Sequence, residues 1–315
     1  LGWVVSLSYS STNTLVIGGA GFIGGNLVPQ LINTGRRVTV LGRSAEPSYA
    51  LHKNALYVEG DYGQHKLLSQ LLDEHNEVIH LAYDSISNNP LTELLQNLSP
   101  SIQLFSEVAK RGIKLILVSS GGTVYGNSLK LPISEKHSTQ PISSYGVVKL
   151  TIENYAHLYA TSHGLNFICL RPANPYGEGQ RPFLGQGFIS TAIASVIRKL
   201  PITVYGEHGT IRDYLYVSDL ASGIVSALEH GHLSETYNLG SSIGLSNIEV
   251  IQAIKHLISE TESEFLIKHE PERIFDVKVN VLDSTKILKH TGWKAQVDFK
   301  TGLQLTYDWL KNSKN

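Results

Sequence analysis

Three glycines directly behind a short apolar run constrain this chain more than any other feature. Gly18, Gly21 and Gly24 lie in GGAGFIG, after the apolar residues 15–17 and at the head of an amphipathic stretch that continues to Asn33. Without Cβ atoms the turn can tighten, and backbone N–H groups can approach a pyrophosphate at a helix N-terminus. A glycine triplet alone is often only a turn. A strand before it and a helix after it make it the fingerprint of a dinucleotide-binding βαβ unit.

The same alternation recurs along the first half. Apolar runs at 38–41, 56–58, 78–81, 113–119 and 167–170 are separated by helical periodicity, clearest at 90–111 and 144–163. Such short, continuous runs read as strands buried on both faces, so the expected class is α/β, a doubly wound parallel sheet of Rossmann type. Behind Pro172, the stretch PANPYGEGQRPFLGQG reads as a long functional loop and marks a boundary. The expected division is a dinucleotide-binding domain at 12–172, with a returning segment near 214–240, and a smaller mixed substrate-binding domain at 173–315, mainly 173–213 and 241–315. The smaller part looks unable to enclose a large core alone, so it should pack on the first and leave a cleft between them.

Composition narrows the function. With 42% hydrophobic and 17% charged residues, the 315-residue chain is a packed globular protein. A net charge of −1 provides no field for a nucleic acid or an anionic membrane. The nearly apolar stretch 15–25 is well short of the ~20 residues that span a bilayer, so a soluble protein is expected. A single cysteine, Cys169, sits in an apolar run and reads as a buried core thiol of a cytoplasmic protein. The opening residues lack the basic start and small-residue cleavage site of a signal peptide. The 13 histidines form no HxH or HxxxH cluster beside a carboxylate, so no metal site is expected.

The second strand should end in an acidic residue that binds the adenosine ribose. Here the segment is VLGRS, and Arg43 leaves two cofactors open: NADP, with Arg43 on the 2′-phosphate, or NAD, with Arg43 flat over the adenine. Asp61, behind the third strand, suits the adenine amino group or a plain turn. Tyr145 and Lys149 stand four apart at a helix start, on one face. A cation near the phenol favours phenolate, so Tyr145 is the best candidate for removing a hydroxyl proton. Ser119, Ser120 and Thr123 crowd the carboxyl end of the fifth strand, where such sheets bind ligands, and a hydroxyl there can assist that proton transfer. His80, between Ile79 and Leu81, reads as a satisfied core histidine.

GGAGFIG, HLAY, SSGGTVYG, the Tyr-x-x-x-Lys pair, LRPANPYG and RDYLYVSDLA follow one another in this order. Together they resemble the extended short-chain dehydrogenase/reductase superfamily, most of all its NAD-dependent nucleotide-sugar epimerase/dehydratase group, typified by UDP-glucose 4-epimerase. The resemblance runs from about Leu15 to the C-terminal helix. It implies a tightly held NAD that takes hydride from C4 of a UDP-hexose and returns it to the other face, in a homodimer. Tyr145 would be base and then acid, and Lys149 would bind the nicotinamide ribose. Cofactor contacts would come from Gly18, Gly21, Phe22, Ile23, Gly24, Arg43, Asp61, Tyr62, Leu81, Ala82, Asn97, Tyr145, Lys149 and Pro172. Asn174 would contact the phosphates of the sugar nucleotide, Arg212 and Arg273 would clamp its diphosphate, and Asp276 would lie near the uridine. Asn280 would line the pocket beside the sugar C2, where a small amide admits N-acetylated substrates; a strand end facing solvent is its plain alternative.

Two departures from the group matter. Its catalytic serine or threonine is replaced by Gly121, so the helping hydroxyl is expected from Thr123, with Ser120 as second choice. Its dehydratases and decarboxylases carry an acid where this chain has Gly122 and Thr123, and without one an elimination lacks its proton donor. A UDP-hexose 4-epimerase therefore leads. A dehydratase, decarboxylase or reductase on the same scaffold is the alternative, as is a non-catalytic dinucleotide-binding regulator, which Gly121 keeps open.

Overall fold

Each apolar run of the first half becomes a strand in a computed structural model of the chain, which describes residues 12–47, 51–84, 89–128, 130–258 and 265–312. In chain order the elements begin β1 (Asn13–Ile17), α1 (Phe22–Asn33), β2 (Arg37–Gly42), β3 (Leu56–Glu59), α2 (His65–Asp73), β4 (Glu77–His80), α3 (Pro90–Arg111), β5 (Lys114–Val118), α4 (Ser144–His163) and β6 (Phe167–Pro172). They continue with β7 (Asn174–Tyr176), α5 (Phe188–Ile197), β8 (Ile202–Tyr205), β9 (Ile211–Tyr216), α6 (Val217–His230) and β10 (Thr236–Leu239). The last are β11 (Gly244–Ser246), α7 (Asn247–Leu257), β12 (Ile267–Glu270), β13 (Val279–Asn280), α8 (Thr285–Thr291) and α9 (Phe299–Asn312).

Seven strands form one sheet in the order β10-β6-β5-β4-β1-β2-β3, with every pair parallel. Leu15, Val16, Val78, Ile79, Leu115 and Ile116 are fully buried in the central strands, as helices on both faces require. Strand order reverses between β1 and β4, which opens a crevice at the carboxyl ends. The returning segment closes the far edge: α6 packs on α1 and delivers β10 beside β6. Cys169 is buried in β6. Residues 1–11 of the opening segment lie outside the described residues.

The later part carries β9 with β7, β11 and β13, and a separate β8–β12 pair. It encloses its own core of Tyr176, Ile193, Val250, Ile254, Leu303 and neighbours, which corrects the expectation that it is too small to do so: three helices, α5, α7 and α9, cover it. The segment from β13 onward is sewn to both parts. Asn280 pairs with Arg212 of β9, while Ile133 N donates to Val281 O at 2.8 Å and Asp283 N to Ile133 O at 2.8 Å. Among the described residues no helix is long and apolar enough to cross a membrane.

Candidate active site

The glycine turn is shaped by close backbone approach. Gly18 has φ +79°, and a Cβ on it would lie 2.8 Å from the Ala82 backbone. Gly21 is the N-cap of α1, whose first turn has no side-chain cap and no acidic residue, so its N–H groups face outward unpaired by side chains. Gly24 is buried against Gly19, where a Cβ would collide with the backbone; its part is packing of helix on turn.

A cavity of about 290 Å³ beside this turn is lined by Gly18, Gly21, Arg43, Asp61, Tyr62, Leu81, Ala82 and Asn97. Arg43 Nη1 meets Asp84 Oδ2 at 2.7 Å, so a carboxylate already faces the guanidinium that a 2′-phosphate would need. Asp61 Oδ1 accepts from Gly63 N at 2.7 Å, a turn role held while the residue lines the cavity. Asn97 spends its amide on backbone: Oδ1 accepts from Asp84 N at 2.7 Å, and Nδ2 donates to Asp84 O at 2.9 Å and Glu93 O at 2.8 Å. His80 is in the core but not satisfied, because neither ring nitrogen has a partner among the described residues. Burial pushes its pKa down to about 3, so the ring is neutral. The Tyr62 ring packs edge-on against it, with centroids 5.0 Å apart.

The main cleft, about 660 Å³, opens where the sheet crevice meets the later part. Phe22, Ile23, Ser120, Thr123, Tyr145, Lys149, Pro172, Asn174, Arg212 and Asp276 all line it. Ser143 caps α4 by accepting from Gly146 N at 3.2 Å, which sets Tyr145 in the first turn, facing the end of β5. Lys149 is buried one turn on, and its Nζ donates to Val118 O at 3.0 Å. Burial pulls its pKa down to about 8.

Against the expectation of a phenolate favoured by Lys149, burial raises the Tyr145 pKa to about 12, opposed by the nearby Ser120 side chain. The ammonium is weakened by its own burial and stands 5.9 Å from the phenol ring centre. Ser120 and Thr123 both line the cleft with Tyr145; Ser120 acts to lower the phenol's pKa, whereas the buried Thr123 Oγ1 has no partner among the described residues. Gly121 is glycine for steric reasons, since a Cβ there would sit 2.5 Å from Leu282 Cδ1 and 2.8 Å from Arg171 O.

At the far end of the cleft, Arg212 donates only to its neighbour's carbonyl, Ile211 O, at 3.0 Å, and burial lowers its pKa. It has no ion pair among the described residues. A guanidinium held this way is a site for an incoming anion. Asn174 Oδ1 is likewise buried without a partner. Arg273 lines an adjoining cavity of about 440 Å³ with Asp276 and stacks 3.5 Å over the Tyr205 ring.

Asn280 does not line the cleft. It is fully buried, and its Nδ2 donates to Gly121 O at 2.9 Å, so neither the C2 pocket nor the solvent-facing strand end describes it. Strand alternation turns it inward beneath the loop that ends β5. Sequence reading missed Tyr83 and Glu93 as neighbours of Tyr145. The signal was present: Glu93, Asn97 and Ser101 recur at four-residue spacing on the buried side of α3.

Residues 14–240 match the model of the NAD dependent epimerase/dehydratase family. The chain is 30% identical to the UDP-glucose 4-epimerase of Lacticaseibacillus casei, over 94% of this chain and 96% of that one. It is 29% identical to the dTDP-4-dehydro-6-deoxyglucose reductase of Escherichia coli, over 92% and 94%. The crystal structure of Thermotoga maritima UDP-glucose 4-epimerase with UDP-glucose superposes with a TM-score of 0.88 at 30% identity, covering 95% of this chain and 99% of that one.

Proposed function

Because the chain belongs to the NAD dependent epimerase/dehydratase family, we propose that it is a nucleotide-sugar 4-epimerase acting on UDP-hexoses. The observation that carries this reading is one cleft with Ser120, Tyr145 and Lys149 beside the glycine turn and an unpaired Arg212 at its other end.

The uncapped turn at Gly18 and Gly21, with Phe22, Ile23, Tyr62, Leu81, Ala82, Lys149 and Pro172, fits NAD; Arg43, paired with Asp84, favours it over NADP. NAD, when bound, supplies reversible acceptance of one hydride from the sugar C4. The chain supplies proton transfer and positioning. Tyr145 takes the C4 hydroxyl proton and later returns one, and Ser120 orients the phenol oxygen. Lys149 is aimed by Val118 O and provides positive charge on the same side. Arg212 and Asn174 hold the diphosphate, with Arg273 and Asp276 on the nucleotide beyond it. The sugar can then turn about its phosphate link while the nucleotide stays fixed.

Among the described residues lining the cleft, Asp276 is the only carboxylate. Elimination across C5 and C6 needs an acid beside the sugar, which favours epimerisation over a dehydratase. Incubation with a panel of UDP-sugars and NAD, with no added reductant, should convert UDP-glucose to its C4 epimer, read by NMR. A 4-keto-6-deoxy product, or turnover only with added NAD(P)H, would replace this reading with a dehydratase or a reductase.

Ser120→Ala should lower kcat on the order of 10²-fold, the usual loss for one positioned hydrogen bond, with KM for the UDP-sugar little changed. Thr123→Val should cost less than Ser120→Ala, and steady-state kinetics showing the reverse order would return the assisting role to Thr123. Exposed Leu91, Leu95, Val147 and Leu158 on the adjoining α3 and α4 support a homodimer, and the single, buried Cys169 supports a cytoplasmic setting.

A further inference from the structure

Tyr145 has neighbours, Tyr83 and Glu93, to which the sequence reading gave no role. Tyr83, just behind β4, packs its ring edge-on against Tyr145 with centroids 4.7 Å apart. It also offers its ring face to Lys149 Nζ at 4.6 Å, nearer than the ammonium lies to the ring of Tyr145. The Tyr83 hydroxyl donates to Glu93 Oε1 at 2.8 Å, and Ser144 Oγ donates to Glu93 Oε2 at 2.5 Å. Glu93 is only 7% exposed, in the first turn of α3. One buried carboxylate is therefore tied both to the ring that touches the phenol and to the residue that precedes it.

We infer that Glu93, held by Tyr83 and Ser144, is a positioning residue that sets how tightly Tyr145 keeps its proton; this rests on Tyr145 being the base. A negative charge in dry surroundings opposes formation of a second one nearby. The charged and titratable groups around the phenol are few. Lys149 faces it from α4, Tyr83 from the segment behind β4, and Glu93 from α3. Around these lie neutral His80 and Glu153 beside Lys149, and Tyr62 beside Tyr83. Glu153 is matched by Arg171, which leaves Glu93 as the negative charge in this set without a cation. Its effect is to make Tyr145 a stronger base and a weaker acid, so that proton removal needs a higher pH.

The test compares Glu93→Gln, which keeps shape and removes charge, with Tyr83→Phe, which keeps charge and removes one anchor. Tyrosinate absorbance of the NAD-loaded enzyme is followed against pH, and Tyr145 is isolated by subtracting the matching Tyr145→Phe protein. In Glu93→Gln the Tyr145 midpoint should fall by about one pH unit, and the acidic limb of kcat/KM should fall with it. In Tyr83→Phe the midpoint should rise, because the carboxylate loses a donor that spreads its charge. An unmoved midpoint in Glu93→Gln, or a fall in Tyr83→Phe, overturns the inference and leaves Glu93 a scaffold residue. A midpoint that moves while the pH–rate profile stays put upholds the setting of proton affinity and instead removes Tyr145 as the base.

Discussion

Tyr145→Phe should lower kcat by about 10³-fold, within the range lost when a positioned acid–base group is removed, while NAD content and thermal midpoint stay at parental values. The substitution deletes one oxygen. The phenyl ring keeps its edge-on contact with Tyr83, and Lys149 keeps its bond to Val118 O, so the cleft remains formed. What disappears is the oxygen to which the proposed mechanism assigns the proton exchange. The loss should lie in kcat rather than in KM, because Arg212 and Asn174, the proposed diphosphate contacts, are left unaltered. Steady-state kinetics on UDP-glucose that retain most of kcat would move the base to another group.

The largest stability effect is expected beneath the site. Glu153, one turn beyond Lys149, accepts from Arg171 Nη2 at 2.5 Å and Nε at 3.1 Å, and from Ser119 Oγ. Arg171 Nη1 continues to Tyr125 Oη at 2.9 Å, which donates to Asn238 Oδ1 at 2.7 Å. Both members of the ion pair are buried. Burial alone would lower the Arg171 pKa, but Glu153 overcomes it and holds the guanidinium charged. Glu153→Ala strands that charge without an anion and should cost about 3–5 kcal/mol in urea unfolding. Glu153→Leu combined with Arg171→Met should cost less than Glu153→Ala alone, because the cost comes from the unpaired charge. A single-variant loss under about 1 kcal/mol would show that the pair is solvated after all.

Sequence alone indicated the parallel sheet because its strands are continuous apolar runs behind recognisable turns, and the glycines at 18, 21 and 24 located the crevice. Strands β7, β11 and β13 have two or three residues each, too few for a period to register, so the later part read only as a mix of helices and unplaced short strands. Gly121 announced a missing hydroxyl, but which neighbour takes over depends on how the turn behind β5 points Ser120 and Thr123, and that is tertiary. The family resemblance implied a pocket role for Asn280; one residue of strand alternation decides between cleft and interior, and it fell inward. The burial that raises the Tyr145 pKa was hidden for a related reason. Spacing reveals that Lys149 shares its face, but not that both are dry and that a carboxylate from α3 joins them.

The bond from Asn280 to Gly121 has a mechanical side. Residues 279–284 run between the two halves of the molecule and are pinned to each, to Gly121 and Ile133 on one side and to β9 and Asp213 on the other. Swinging the halves apart would break these buried bonds together, each worth about 1 kcal/mol or more. The chamber therefore behaves as a clamp of fixed gape. On the proposed function, a sugar that turns over would do so against walls that do not yield, and the span between Tyr145 and Arg212 would act as a ruler for the hexose that fits.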